Sequence, residues 1–214
     1  MPDDIPAQIG MTPEPAPEFG EREAGLLAAA RAAFVEKGFD GASMQDLARS
    51  AGMSAGNFYR YFPSKAAIVE AMVARDLAAV EDEFRLIAAS PRPIATLRTL
   101  LRKRMEERCG GEETLWAEIT AAAARKPEVA AILARMEDGI VRRLARVMGL
   151  AVGGLSEDEA LHRFGTPARL VYVIMHGAMS SHLLRDSQDT ALAEHLLRTI
   201  ERIMLEACSG EVEG

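Results

Sequence analysis

The sequence predicts an all-α protein, a small amino-terminal helical unit followed by a larger helical domain. Three observations lead there. Residues 21–65, EREAGLLAAARAAFVEKGFDGASMQDLARSAGMSAGNFYRYFPSK, alternate short apolar-faced runs with capping residues and glycines. From Ser64 to Cys208, apolar stripes at helical spacing are separated by Pro and Gly breaks. Finally, the 214 residues are 49% hydrophobic but only 5% aromatic, a composition suited to helices packed through Ala, Leu and Met.

The first helix places Ala24, Leu27, Ala28, Phe34 and Val35 on one face and stops at Gly38. Ser43 caps a second helix, because its hydroxyl accepts from the unpaired amides of the following turn. Met44, Leu47, Ala48 and Ala51 give that helix its apolar face, and Gly52 closes it, since glycine enters the left-handed region at little cost. Met53 plugs the corner and Ser54 caps a third helix over Ala55 to Tyr61, about two turns long and ended by Pro63. This helix, break, short helix, Gly, short helix order is that of a helix-turn-helix. Leu47, Met53, Phe58 and Tyr61 fall where the helix pair needs core contacts, and the small Ala48 lets the two helices cross closely. Phe58 and Phe62 are assigned to packing.

A long helix runs from Ser64 to about Ala88 along Val69, Val73, Leu77, Val80, Phe84 and Ile87, until Pro91 and Pro93 interrupt it. Helices over Ile94 to Arg108, Thr114 to Arg125 and Pro127 to Met148 follow, divided at Gly110-Gly111 and at Lys126-Pro127, with Pro127 in a first helical turn. The spacing then predicts a loop over Gly149 to Gly154 and a short acid-capped helix at Ser156 to Glu159. A helix starting at Thr166-Pro167 reaches about Arg185, and a last one runs from Thr190 to Cys208. Leu170, Val173, Ile174, Gly177, Ala178, Ser181 and Leu184 form one stripe; Leu192, Leu196, Leu197, Ile200, Ile203, Met204 and Ala207 form another.

Charge and composition exclude several classes. The net charge of -7 divides unevenly: residues 21–65 carry six basic and five acidic side chains, whereas residues 1–20 carry four acidic and no basic ones. A local positive surface suffices for nucleic acid, because phosphate attraction acts within about 8 Å at physiological salt. No run of about twenty uncharged apolar residues occurs and the acidic, Pro-rich amino terminus lacks a signal-peptide pattern, so a cytoplasmic protein is expected. Cys109 and Cys208 form no CxxC, and His162, His176, His182 and His195 show no ligand spacing, so neither a disulfide framework nor a metal site is expected. No P-loop, GxGxxG or HExxH motif points to an enzyme, and no cofactor is called for.

Residues 21–65 resemble the DNA-binding domain of the tetracycline-repressor (TetR) family of bacterial regulators. The likeness rests on Ala33-Phe34, Lys37-Gly38-Phe39, Ser43-Met44, Leu47-Ala48, Ala51-Gly52-Met53-Ser54, Gly56, Phe58-Tyr59, Tyr61-Phe62 and Ser64-Lys65. Asn57 stands where the family often has Thr or Ser, and Ala67 where a polar residue is common. The close likeness covers about a fifth of the chain; the rest is similar in architecture only. It implies that Ser43, Ser54, Tyr59, Tyr61 and Lys65 contact phosphate or sugar. The chemistry of a helix lying in the major groove adds Ala55 for a thymine methyl, Asn57 for a base or phosphate, and Arg60 for guanine or the backbone.

The resulting organisation is a tail over residues 1–20, a helix-turn-helix domain over 21–66, a ligand-binding and dimerisation domain over 67–208, and a tail over 209–214. The resemblance implies a homodimer through the last two helices, presenting two reading heads to palindromic operator DNA about 34 Å apart or a multiple of it. It also implies a small-molecule effector, apolar or amphipathic, that releases a repressor from DNA. Phe84, Met105, Trp116, Ile119, Met136, Met175 and Met179 offer adaptable apolar surface for it, with Arg104, Glu118 and His176 as polar anchors. Two other functions remain open at this point: a DNA-binding regulator without small-molecule input, and an all-α enzyme.

Overall fold

The computed structural model describes residues 20–106, 112–180 and 190–210, and the elements found there are all α-helices. In chain order they are α1 (Glu21–Lys37), α2 (Met44–Ser50), α3 (Ala55–Tyr61), α4 (Lys65–Ala88), α5 (Pro93–Glu106), α6 (Glu112–Ala123), α7 (Pro127–Ala151), α8 (Glu157–Ser180) and α9 (Thr190–Ser209). The acidic tail, the Gly110-Gly111 break, Arg108, Cys109, Ser181, His182, Leu184 and Arg185 lie outside the described residues.

Two apolar cores organise these helices. The first joins Leu27 and Phe34 of α1, Leu47 of α2, Phe58 of α3 and Ile68, Val69 and Met72 of α4 to Leu115 and Ile119 of α6 and to Val129 and Ile132 of α7. The second joins Ile87 at the far end of α4 to α5, the latter half of α7, α8 and α9 through Leu97, Leu144, Met148, Phe164, Val171, Ile200 and Met204. Each fully buried Leu, Ile or Phe contributes about 1.5–3 kcal/mol to folding. Two helices, α4 and α7, serve both cores, so a displacement in one core reaches the other through a rigid element. Ion pairs fix their register: Arg31 of α1 reaches Asp76 of α4 at 2.7 Å, Arg135 of α7 reaches Glu70 at 2.6 Å, and Arg143 of α7 reaches Glu81 at 2.8 Å.

Several sequence expectations change. The buried face of α1 is Leu26, Leu27, Ala30, Ala33 and Phe34; Ala28 and Val35 are exposed, being one residue, or about 100° of helix, beyond it. No helix starts at Thr166-Pro167. Pro167 sits inside α8, where it removes one backbone hydrogen bond; burial of Phe164, Ala168 and Val171 on either side holds the helix through it. Gly149 opens no loop but lies within α7, and its place is dictated by close approach, since a Cβ there would come 2.8 Å from Ala160 Cβ of α8. Finally, Leu197, Ile200 and Met204 of the last stripe are buried within this single chain, so they are core of the protomer. Among the described residues of α8 and α9, the large apolar side chains left exposed are Leu170, Val173 and Leu205; Leu86 of α4 is exposed as well.

Candidate nucleic-acid interface

Local chemistry sets the helix pair. Ser43 Oγ accepts from Asp46 N at 3.1 Å, while Asp46 Oδ2 accepts from Ser43 N at 3.0 Å, so two end amides of α2 are satisfied reciprocally. Lys37 Nζ donates to the same carboxylate at 2.7 Å. The Lys37 ammonium, aided by the Ser43 hydroxyl and amide, holds the Asp46 carboxyl well below the usual carboxylate range. At the other end of α2 the chain turns through Gly52 at φ +65°, and Met53 N bonds back to Ala48 O at 2.9 Å. Ser54 then caps α3 by accepting from Asn57 N at 3.4 Å.

The string Gly52-Met53-Ser54-Ala55-Gly56 matches the GxSxG pattern of nucleophilic hydrolases. The context differs from that chemistry: the serine follows a helix rather than a strand, and its oxygen is occupied as a helix cap.

Helix α3 is held by one face and open on the other. Phe58 is completely buried and Phe62, just past its end, nearly so, their rings 5.6 Å apart. Tyr59, Arg60 and Tyr61 are exposed and Asn57 is half-buried. Tyr61, expected to serve the core as well as DNA, is 40% exposed. The structure gathers Asn57, Arg60 and Tyr61 around one open depression, together with Arg22 from the first turn of α1. Among the other sequence-predicted residues, Ser43 and Ser54 are exposed beside their caps, and Ala55 packs partly against the first core.

Lys65 does something the sequence did not suggest. Its Nζ donates to Phe39 O at 2.6 Å and Asp40 O at 3.2 Å, and lies 4.9 Å from the centre of the Phe39 ring. Partial burial pulls its pKa below the usual lysine value. It therefore fastens the first turn of α4 to the turn between α1 and α2. The same turn is gripped from α6. Glu118, expected to anchor a ligand, accepts from Phe39 N at 3.1 Å, and a Cβ on Gly38 would come 2.9 Å from its Oε2. Arg125 and Lys126, just beyond α6, pair with Asp40 at 2.6 and 3.3 Å, and both lower its pKa, Arg125 the more. This clasp has no local sequence signal, because Phe39 and Glu118 are 79 residues apart and meet only in the packed core.

The remaining expected ligand residues do not converge. Ile119, Trp116 and Met136 belong to the first core or pack on it, whereas Phe84 and Met175 pack on the second. Arg104 is paired with Glu83 at 2.9 Å; His176 is exposed and stacked on Tyr172, with ring centres 5.7 Å apart. Met105 and Met179 are half-buried. Phe84 lines a cleft of about 40 Å³ between α4 and α7, shared with Glu81, Arg143 and Arg146, which holds little more than a water or two.

Comparison with known proteins agrees with this geometry. Residues 26–72 match the family model described as bacterial regulatory proteins, tetR family. The HTH-type transcriptional regulator UidR of Escherichia coli K12 is 30% identical over 128 residues, 58% of this chain and 62% of the relative, so the chain spans about three-fifths of that relative's length. The HTH-type transcriptional regulator EthR of Mycolicibacterium smegmatis is 42% identical over 57 residues, 27% of this chain and 26% of its own. Among solved structures, Salmonella enterica GusR superposes with a TM-score of 0.71 at 24% identity, covering 88% of this chain and 100% of that one.

Proposed function

We propose, from the premise that residues 26–72 of this chain belong to the tetR family of bacterial regulatory proteins, that the whole protein is a transcriptional regulator acting in the cytoplasm as a homodimer on operator DNA. The observation that carries this reading is α3. Its inner face is anchored by Phe58, and its outer face leaves Tyr59, Arg60 and Tyr61 in solvent, as a helix must be if it enters a major groove. Asn57 and Arg60 are assigned to base edges or the groove wall, and the exposed Ser43, Ser54, Tyr59 and Tyr61 to phosphates. Lys65 adds its charge while holding the α1–α2 turn. The uncovered Leu170 and Val173, one turn apart on α8 beside the exposed Gly177, support pairing of two copies through α8 and α9.

Regulation by an apolar or amphipathic effector would act through α6 and α4. Both helices touch the α1–α2 turn, so an effector that moves α6 moves the reading head through Glu118, Arg125 and Lys126. The effector and DNA must then weaken each other by the same factor. Release of DNA by the effector makes the protein a repressor. A second reading, a regulator without small-molecule input, is favoured by the filled positions of Trp116, Ile119 and Met136 in the first core. Mobility shift with the DNA upstream of the protein's own coding sequence tests the shared claim, and a thermal-shift screen of small molecules followed by DNA release separates the two readings. Failure to retard that DNA or any other duplex at low salt would remove both.

A further inference from the structure

We propose that Arg22 of α1 and Arg60 of α3 together seat one backbone phosphate at the edge of the groove that α3 enters, with the Tyr61 hydroxyl as a third donor. This rests on the DNA-binding reading above and names a contact that neither the helix-turn-helix pattern nor α3 alone supplies.

Four of the six basic side chains in residues 21–65 already have partners. Arg31 is paired with Asp76, Lys37 and Arg49 with Asp46, and Lys65 with two carbonyl oxygens. Arg22 and Arg60 have no carboxylate partner among the described residues, and both are exposed. These two line the same depression, whose other walls are Asn57 and Tyr61, so two guanidinium groups face one opening with no acid among its described lining residues. Unshared like charges held side by side repel; an anion between them removes the repulsion and accepts from both planar forks.

Position decides the kind of anion. Arg22 belongs to α1, not to the helix proposed to read the base edges, and it lines the same depression as Asn57, Arg60 and Tyr61. A group beside a groove-bound helix meets the sugar-phosphate wall of the groove. Arg60 is thereby committed to the backbone rather than to guanine. Because the contact carries no base information, Arg22 strengthens binding to every sequence alike.

The test measures dissociation constants across a salt series for the unaltered protein and for R22A, R22K, R60A and the double variant R22A/R60A. Each is titrated against the duplex upstream of its own coding sequence and a random duplex of equal length. R22A is expected to bind both duplexes about tenfold more weakly at moderate salt and to flatten the log–log salt slope by about 0.9. R22K should restore the slope, and R60A should repeat R22A on both duplexes. Arg22 is exposed, so its thermal midpoint should stay that of the unaltered protein, and R22K controls for any that does not. An unchanged slope in R22A, or a loss confined to the upstream duplex, overturns the proposal. If the unaltered protein binds neither duplex, the DNA-binding reading itself falls, and this one with it.

Discussion

The outer face of α3 and the turn between α1 and α2 lie on the same small head, yet their charges are used in opposite ways. In the turn, every charge has a partner: Asp40 holds Arg125 and Lys126, Lys65 holds two carbonyl oxygens, and Glu118 takes the Phe39 amide. On the α3 face, Arg60 and its neighbour Arg22 have no carboxylate partner among the described residues, and Tyr59 and Tyr61 stand in solvent. Satisfied polar groups fix a geometry, whereas unshared cations and exposed rings wait for something outside the chain. The turn is thus a joint of the molecule and the helix face its working surface.

The largest effect should come from removing what supports both regions. Phe58→Ala should cost about 3–5 kcal/mol, because the ring is fully buried beneath α3; urea denaturation followed by circular dichroism measures it, and DNA binding should vanish with the fold. Next is the joint. Glu118→Ala leaves the amide of the buried Phe39 unpaired and should cost about 1–3 kcal/mol. The same denaturation should find Glu118→Gln, which keeps an acceptor, closer to the unaltered protein. A smaller loss, about 1 kcal/mol, is expected for Ser43→Ala, which removes half of the capping box.

Acid should act on the head through Asp46. Its folded pKa lies below the unfolded value of 3.8, so its contribution is complete above that pH and is lost as pH falls through the folded value. Thermal midpoints read from pH 5 downward should therefore drop more steeply for the unaltered protein than for Asp46→Asn, which never carries the charge. Smallest in stability is the working surface. Tyr59→Ala should change it by less than about 0.5 kcal/mol while weakening DNA binding in a filter or anisotropy assay, the reverse of the pattern at Glu118.

How much of this was legible in the sequence follows from the range of the forces involved. The bounds of α2 and α3 were readable because Ser43, Asp46, Gly52 and Ser54 all act on backbone groups within a few residues. The buried place of Phe58 followed from the period of α3, whereas Tyr61, expected among the core contacts, stands in solvent. The clasp on the turn was not readable, since Glu118 and Phe39 are 79 residues apart and only the packed first core brings them together. Gly149 and Pro167 do not act as local punctuation, because a close crossing of α7 and α8 and the burial of Phe164 and Val171 govern the backbone there. Leu197, Ile200 and Met204 show the remaining limit: periodicity states that a face is covered, not whether the cover is the same chain or a second one.

Helix α3 is the element proposed to touch DNA. The most direct measurement compares the affinity of the unaltered protein and of Asn57→Ala for the upstream duplex and for random DNA, with thermal midpoints read alongside. Salt-sensitive binding is expected of the unaltered protein, and of the variant a roughly 5- to 150-fold loss on the upstream duplex with little change on random DNA and none in stability. Equal affinity of the two proteins for the upstream duplex would contradict it.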